Sequence, residues 1–286
     1  MPIHTKDSAE PPMTTDIELA PVAVPEACTA VNFLAERTGL SKSRIKLAMT
    51  RGAVWVQRGD KLRRLRRAKT TLTPPDRIGI YYSANILDTE PPEPLLIEDL
   101  GCCSIWLKPP GLLSSGSRFG DHCAIDRVID RLLDRPTYLV HRLDQFAWGL
   151  MVLAHDRESA ANLSGQFRDR QVHKVYQAIV YGRLETDVDI DAEVDGKPAL
   201  SHVSPLGSDR EHTLVEIRIE SGRKHQIRVH LAGAGFPIVG DRHYGADDVS
   251  DLKLASVELG FTHPRTGEPI KFELPADQRP ALQEAN

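Results

Sequence analysis

The pattern of apolar and polar positions predicts a short helical part near the N-terminus and a longer part in which strands alternate with helices. In the first part, helical spacing of apolar residues ends at Gly39, and Ser41 is a suitable N-cap for a second helix. The elements predicted there are helices around residues 31–38 and at 42–50, and strands at 53–56 and 77–81. The order is therefore helix, helix, strand, turn, strand.

The second part, from about residue 95, combines the apolar alternation of strands with three stretches of helical spacing. Strands are predicted at residues 104–107, 138–140, 149–154, 176–181, 213–220, 254–259 and 270–272. Helices are predicted at residues 123–133, 157–170 and 225–232. We therefore expect an α+β protein: a small helix-helix-strand domain, followed by a large mixed, mainly antiparallel sheet flanked by helices.

Polar and proline-rich segments predict the domain boundaries. Residues 84–95 contain three prolines and are expected to form a stiff, semi-extended linker. The expected parts are a disordered leader at 1–26, a small domain at 27–83, this linker, a large domain at 96–278 and a C-terminal tail at 279–286.

Composition and spacing exclude several classes of protein. The chain has no run of 18 apolar residues, so we expect no transmembrane helix, and the polar first 15 residues are not a secretory signal. The four cysteines show no zinc spacing, and His225 and His230 do not share a helical face. We expect reduced thiols, a cytoplasmic protein without a membrane partner, and no bound metal.

Positive charge is concentrated in one segment. Residues 41–70 hold eleven basic residues and one acidic residue, whereas the whole chain has a net charge of −4. The candidate RNA-contacting residues are Lys42, Arg44, Lys46, Arg51, Arg63, Arg64, Arg66 and Arg67. A solvated charged helix is the alternative, but segregated positive charge favours a polyanion partner. The order of elements resembles the RNA-binding domain named after ribosomal protein S-four, in which the second helix and the following hairpin face phosphates.

The stretch with the most distinctive chemistry is residues 138–154. His141, Arg142 and Asp144 lie there between two apolar, strand-like segments. A carboxylate in such a place is partly desolvated, so it either binds a cation or takes part in chemistry. From these residues alone, a structural Arg142–Asp144 ion pair at a turn is an equal alternative.

Four segments in order resemble the motifs of the RluA-type pseudouridine synthases. They are residues 108–114, 138–154 with His-Arg-Leu-Asp, 174–182, and 222–241 with Gly-Arg-Lys-His-Gln-Ile-Arg. The resemblance covers about residues 96–278 and implies isomerisation of uridine to pseudouridine in RNA. One departure is Ala147-Trp148, where the family usually has a small pair. An indole so close to Asp144 puts the shape of the pocket in question.

The resemblance implies three catalytic residues. Asp144 would act as nucleophile or general base, and the sequence does not choose between these roles. Arg228 would be its ion-pair partner, with a surface helix arginine as the alternative. Tyr176 would stack under the uracil and assist proton transfer, with a core tyrosine as the alternative.

A second group is expected to contact the substrate or to frame the site. Arg142 would fill the gap that a flipped-out base leaves in the RNA. His141 is expected to be structural in preference to catalytic. The other candidates, for phosphate or RNA-backbone contact or for framing the site, are Lys108, Lys174, Arg223, His225 and Gln226.

These observations predict a monomeric RNA pseudouridine synthase that needs no cofactor, because the isomerisation is redox-neutral. The basic domain favours ribosomal RNA over transfer RNA as the partner. The alternative is an RNA-binding protein of the same fold with lost or altered catalysis, which Ala147-Trp148 motivates. A carboxylate-based glycoside hydrolase is disfavoured because no second carboxylate is evident and the basic domain would have no role.

Overall fold

The computed structural model describes residues 16–245 and 250–282, and the chain divides into two compact units. Unit 1 consists of the described residues up to Glu90 together with Gly116–Cys123. Unit 2 consists of Pro91–Ser115 and the described residues from Ala124 onward. The sequence does not predict that residues 116–123 belong to unit 1.

Unit 1 is a small α+β unit. Its elements are β1 (Ile17–Ala23), β2 (Cys28–Thr29), α1 (Ala30–Thr38), α2 (Lys42–Thr50), β3 (Val54–Arg58), β4 (Lys61–Arg64), β5 (Thr71–Leu72), β6 (Arg77–Tyr82) and α3 (Ala84–Asp88). Four strands form an antiparallel sheet in the order β1-β6-β3-β4. Gly39, at φ +71°, ends α1, and Ser41 Oγ accepts the Arg44 N–H at the start of α2. Both helix boundaries follow the caps that the sequence indicates.

Two expectations about this unit are wrong. Residues 17–23, expected in a disordered leader, form β1, whose Ile17 and Leu19 pack against the core of the unit. Residues 1–15 of that leader lie outside the described residues. Residues 84–88, expected in an extended linker, form α3, and Leu87 from this helix is fully buried. In both cases a few apolar side chains pack into the core of the unit. The polar, proline-rich composition of the segments does not indicate this packing.

Unit 2 is built on a large sheet. Its elements are β7 (Leu95–Asp99), β8 (Cys103–Lys108), α4 (Ile125–Leu133), β9 (Tyr138–Leu139), β10 (Trp148–Ala154), α5 (Arg157–Arg168), β11 (His173–Tyr181), β12 (Val188–Asp191), β13 (Leu200–Ser208), β14 (His212–Ile219), α6 (Gln226–Gly233), β15 (Leu254–Thr262), β16 (Pro269–Glu273) and a 3₁₀ turn at Ala276–Gln278. Eight strands follow the order β12-β13-β14-β11-β15-β10-β8-β7, with β16 beside β15 and β9 beside β10. β10 and β15 are parallel, and the other paired strands of this sheet are antiparallel. The predicted mixed, mainly antiparallel sheet is confirmed.

Both faces of this sheet are covered by apolar side chains. Along β10, Met151 and Leu153 join one cluster, which includes residues of α4 and α6. The alternate residues Leu150 and Val152 join a second cluster, which includes Leu163 of α5. This alternation is the period-two pattern of a strand buried on both sides, and it assigns each residue of β10 to a face.

Within unit 2, the strands that the sequence did not predict are β7, β12 and β13. β12 alternates Val and Ile with aspartate, and Pro205 interrupts β13, so neither has the continuous pattern of the buried strands. None of the helices in the described ranges has both the length and the apolarity needed to span a bilayer.

Candidate active site

The loop that carries Asp144 lies between β9 and β10 and is fixed by the segment that follows β8. Ser114 Oγ donates to the carbonyl oxygen of Leu143 at 2.6 Å and accepts its N–H at 2.9 Å. The Gly111 N–H donates to the carbonyl oxygen of Gln145 at 2.9 Å. The backbone on both sides of Asp144 is therefore held by the first of the four motifs.

Lys108 completes this support. The side chain is fully buried, and its Nζ donates to the carbonyl oxygens of Pro109, Gln145 and Ala147 at 3.0, 2.9 and 2.7 Å. Burial lowers the pKa of Lys108 to about 7, while the Asp144 charge acts in the opposite direction. Contact with an RNA phosphate, one of the two roles expected for Lys108, is wrong because the ammonium group is inaccessible. Framing the site is the role that its contacts support.

Asp144 shares one guanidinium group with a second carboxylate. Arg228 Nη1 donates to Asp144 Oδ2 at 3.2 Å, while Nε and Nη2 each donate to Asp241 at 2.8 Å. The exposed fraction of Asp241 is only 1%, and its Oδ1 also accepts the backbone N–H groups of His243 and Tyr244. Arg228 therefore bridges the two carboxylates, and only Asp144 borders the pocket.

The electrostatics around Arg228 and Asp241 favour the ionised forms of these two residues. Burial acts to raise the pKa of Asp241, but the hydrogen bonds from Arg228 and from two backbone amides hold it below its usual value. Burial acts to lower the pKa of Arg228, but the two carboxylates raise it overall. The predicted Asp144–Arg228 pair is present, whereas the role of Asp241 was missed. Its position in the fourth motif, directly after an apolar run and a glycine, was the available signal.

His225 reaches the same carboxylate from the residue before α6. Its backbone is left-handed, with φ +56°. Nε2 lies 3.7 Å from Asp144 Oδ1, and Nδ1 lies 2.9 Å from the hydroxyl oxygen of Tyr244. Burial lowers the pKa of His225, and the neighbouring Arg228 adds to this effect, while Asp144 opposes it. A neutral imidazole therefore lies beside the carboxylate at neutral pH.

Tyr176 faces the same pocket from β11. Asp144, Ala147, Tyr176 and Ile227 all line this pocket, so the aromatic ring and apolar walls surround the carboxylate. Burial raises the pKa of the Tyr176 hydroxyl, and the Asp144 charge raises it further, so the phenol stays protonated. Tyr176 also belongs to the apolar core, so the core role and a role in the pocket are compatible.

Two residues expected to contact substrate have their polar atoms occupied inside the protein. Gln226 is 2% exposed; its Oε1 accepts from Ser221 Oγ, and its Nε2 donates to Leu200 O and Ser201 Oγ. Substrate contact by the Gln226 amide is therefore wrong, although its stem borders the pocket. It anchors the turn before α6 to β13.

His141 also has a structural position. Its Nε2 accepts the Val152 N–H at 3.1 Å, and its ring stacks on Phe167 with centroids 4.3 Å apart. Burial lowers the pKa of His141 to about 3, and Lys174 adds to this effect. Substrate binding through this nitrogen is wrong, and the structural role expected in preference to catalysis agrees with these contacts.

The remaining cationic candidates border open space. Arg142 is exposed and lines the Asp144 pocket, and half-buried Arg223 lines it as well. Lys174 lines a second, adjoining cavity that shares Ile219, Gly222 and Arg223 with the first. The structure thus brings Arg142 and Arg223 to the pocket of Asp144, and it places Lys174 in the adjoining cavity.

The unusual Ala147-Trp148 pair divides between the two faces of the sheet. Ala147 lines the pocket, whereas Trp148 packs with the cluster on the opposite face. The Trp148 indole N–H donates to the carbonyl oxygen of Gln278 at 3.0 Å. The indole therefore does not narrow the pocket, and the reason for suspecting altered catalysis is removed.

Half of the predicted RNA-contacting residues in unit 1 are held by internal carboxylates. Arg44 pairs with Asp88, Arg51 with Glu90, and both Arg64 and Arg66 with Asp121. These pairs reduce the positive field that the composition predicts. The candidates whose side chains are exposed are Lys42, Lys46, Arg63 and Arg67.

The donor set also limits the possible chemistry. In the part of the chain that the structure describes, no three His, Cys, Asp or Glu residues are placed to hold a metal ion. Asp241 cannot serve as the second carboxylate of a glycoside hydrolase, because Arg228 and two backbone amides already engage it. The arrangement is one carboxylate, hydrogen-bonded by Arg228, that shares a pocket with an aromatic ring, which suits attack on, or proton removal from, a sugar.

Comparison with known proteins assigns the family. A family model described as RNA pseudouridylate synthase matches residues 103–233. The dual-specificity RNA pseudouridine synthase RluA of Vibrio vulnificus is 32% identical over 223 residues, which cover 68% of this chain and 88% of that protein. The RluA protein of Vibrio parahaemolyticus is 32% identical over 204 residues, which cover 62% of this chain and 81% of that protein. The chain belongs to the RluA-type family of RNA pseudouridine synthases.

Other matches are more partial. An uncharacterized RNA pseudouridine synthase of Chloroflexus aurantiacus is 37% identical over 166 residues, which cover 51% of this chain and 52% of that protein. The chain thus spans about half the length of the relatives that it matches at 37% identity. Human RNA pseudouridylate synthase domain containing 1 has a TM-score of 0.57 at 21% identity, covering 68% of this chain and 89% of that chain. This likeness supports the fold.

Proposed function

We propose that the chain is an RNA pseudouridine synthase that uses Asp144 as its reacting carboxylate. The observation that carries the proposal is the convergence of Asp144, Arg228 and Tyr176 on one pocket, in a chain of this family. The isomerisation breaks the bond between the sugar and uracil nitrogen, turns the base, and rejoins it through carbon 5.

Each residue has a defined task in this proposal. Asp144 either attacks the sugar or removes a neighbouring proton, and Arg228 is the ion-pair partner that orients it in the pocket. Tyr176 supports the base by stacking, and its protonated hydroxyl can donate a hydrogen bond. The base must leave the RNA stack to reach Asp144, which costs a few kcal/mol. Arg142 would occupy the vacated position in the RNA, and its exposed side chain at the rim of the same pocket supports this role.

The partner in this proposal is RNA, with ribosomal RNA favoured over transfer RNA. The exposed basic residues of unit 1 support it, because each phosphate that they neutralise releases counterions. Relatives such as the ribosomal large subunit pseudouridine synthase D of Nitrosomonas europaea, 37% identical over 172 residues, support the ribosomal preference. Four free cysteines suit a reducing compartment such as the cytoplasm, where the proposal places the protein as a monomer.

The test is pseudouridine mapping of total cellular RNA by a carbodiimide stop assay, with and without the gene. We expect one or a few sites to disappear in the deletion strain. They should return with the wild-type gene but not with Asp144→Asn. An unchanged map, or full rescue by Asp144→Asn, would refute the activity or the role of Asp144 respectively.

A further inference from the structure

A second cavity adjoins the Asp144 pocket and has no role in the chemistry described above. It encloses about 570 Å³ between the end of α5, the start of β11 and the end of β14. This volume falls in the range of roughly 300–1,000 Å³ that ligand sites occupy. Ile219, Gly222 and Arg223 line both cavities, so a ligand in the second would be a direct neighbour of one in the first.

The walls of this cavity are strongly basic. Arg168, Arg170, Lys174 and Arg223 line it, against a single acidic residue, Glu220. Glu220 is itself exposed and lies 3.7 Å from Arg170, which leaves most of the positive charge uncompensated. Arg168 pairs with Asp169 only in a fully solvated position, where such pairs are weak. The cavity is therefore suited to an anion.

Lys174 is the residue that points most directly to a ligand. Its side chain is half-buried, and among residues 16–245 and 250–282 no carboxylate lies within ion-pair distance of its ammonium group. Burial lowers the pKa of Lys174 without an opposing acidic neighbour. An ammonium group that has lost water and gained no counterion is unfavourable, and a bound anion would relieve this.

The same lysine is linked to the loop that carries the carboxylate. Its Nζ lies 5.9 Å from the centre of the Phe167 ring, and the imidazole of His141 stacks on the same ring. Lys174 also precedes Tyr176 by two residues on β11, and alternate residues of a strand share a face. An anion at Lys174 would thus lie beside the Asp144 loop, on the face of β11 that also carries Tyr176.

We propose that this cavity binds a backbone phosphodiester of the substrate RNA, in a nucleotide next to the one whose base enters the Asp144 pocket. The proposal rests on the proposed function and extends it with a phosphate site formed by Lys174, Arg170, Arg168 and Arg223. A free phosphate ion has the same chemistry, so the experiment must separate the two sources.

The first test is binding of a fluorescent single-stranded oligouridylate to the full chain, read by anisotropy across a series of KCl concentrations. Lys174→Met should weaken binding roughly tenfold at low salt and make the log–log salt slope shallower by about 0.7, the change expected for one phosphate of a single strand. Lys174→Arg, which keeps the charge, should retain affinity. Lys253→Met is the matched control, because Lys253 is also half-buried but lines a different cavity.

The second test is protection of Lys174 from acetylation, read by mass spectrometry. Oligouridylate should protect Lys174, and the same concentration of inorganic phosphate should not. An unchanged affinity and salt slope in Lys174→Met would overturn the proposal, as would equal protection by inorganic phosphate. Since both tests measure binding, their failure is distinguishable from failure of the proposed activity, which the pseudouridine map reports.

Discussion

Replacing Asp241 by asparagine removes the carboxylate that holds Arg228. It leaves Asp144, the proposed reacting group, unchanged. Asparagine keeps the size of the side chain and one acceptor oxygen. In the native arrangement, Oδ1 accepts three hydrogen bonds, from Arg228 Nη2 and from the N–H groups of His243 and Tyr244, while Oδ2 accepts from Arg228 Nε. If the amide oxygen keeps the Oδ1 position, the new NH₂ group faces the Nε–H donor, so one charged hydrogen bond is replaced by a donor–donor contact.

The magnitude follows from the burial of this pair. Removing one partner of a buried ion pair lowers the free energy of unfolding by roughly 3–5 kcal/mol. Here Arg228 keeps its contact with Asp144, and the backbone amides keep their acceptor, so we expect a loss of about 2–3 kcal/mol in the free energy of unfolding. A guanidinium group that is no longer fixed also misplaces Asp144. Since a displacement of about 1 Å can cost about a hundredfold in rate, we expect a fall of that order in single-turnover pseudouridine formation.

The assay is tritium release from RNA labelled at carbon 5 of uridine, with urea unfolding of the same preparations. Asp191→Asn, an exposed aspartate on β12, is the matched control and should change neither quantity. Asp241→Asn and Arg228→Lys should be strongly non-additive in rate, because the first acts through the second. A destabilised Asp241→Asn variant with a full single-turnover rate, or additive effects in the double variant, would show that Asp241 serves stability alone.

Three further predictions follow from individual contacts. Asp144→Asn should abolish turnover while RNA affinity by anisotropy stays nearly intact; a parallel loss of binding would make Asp144 structural. Trp148→Ser should lower the free energy of unfolding by about 2 kcal/mol, as the half-buried indole is lost, with an unchanged map of modified uridines; a changed map would contradict the position of the indole. The pKa of Lys108 is about 7 in the fold and about 10.4 unfolded, so between these values the unfolded chain binds more protons and stability rises with pH. Urea midpoints at pH 7 and 9.5 should show a smaller rise in Lys108→Met than in wild type, and an equal rise would contradict the shift.

The sequence was sufficient to predict the pocket residues that belong to a motif and the elements that depend on a short stretch of chain. Asp144, Arg228 and Tyr176 converge on one pocket, and the mixed, mainly antiparallel sheet is confirmed. Strong alternation and clear caps also located α1, α2 and β10, because these signals are local.

The sequence does not show which polar side chains are buried by residues distant in the chain, and this burial determines their roles. Lys108 and Gln226 are residue types that often contact substrates. In this fold both are buried, and their side chains form hydrogen bonds with groups of the protein itself. Conversely, Asp241 had no predicted role beyond its place in the fourth motif and proved to be the main partner of Arg228. These roles depend on contacts between residues far apart in the chain, which no local pattern encodes.

The hydrogen bond from Trp148 to the carbonyl oxygen of Gln278 has a practical consequence for protein engineering. It joins the residue after Ala147, at the wall of the pocket, to a segment close to the end of the described chain. Arg279 reinforces that segment by donating from Nε to the carbonyl oxygen of Leu274 at 2.7 Å. A truncation or protease cut before residue 278 would therefore uncover an indole directly behind the reaction site.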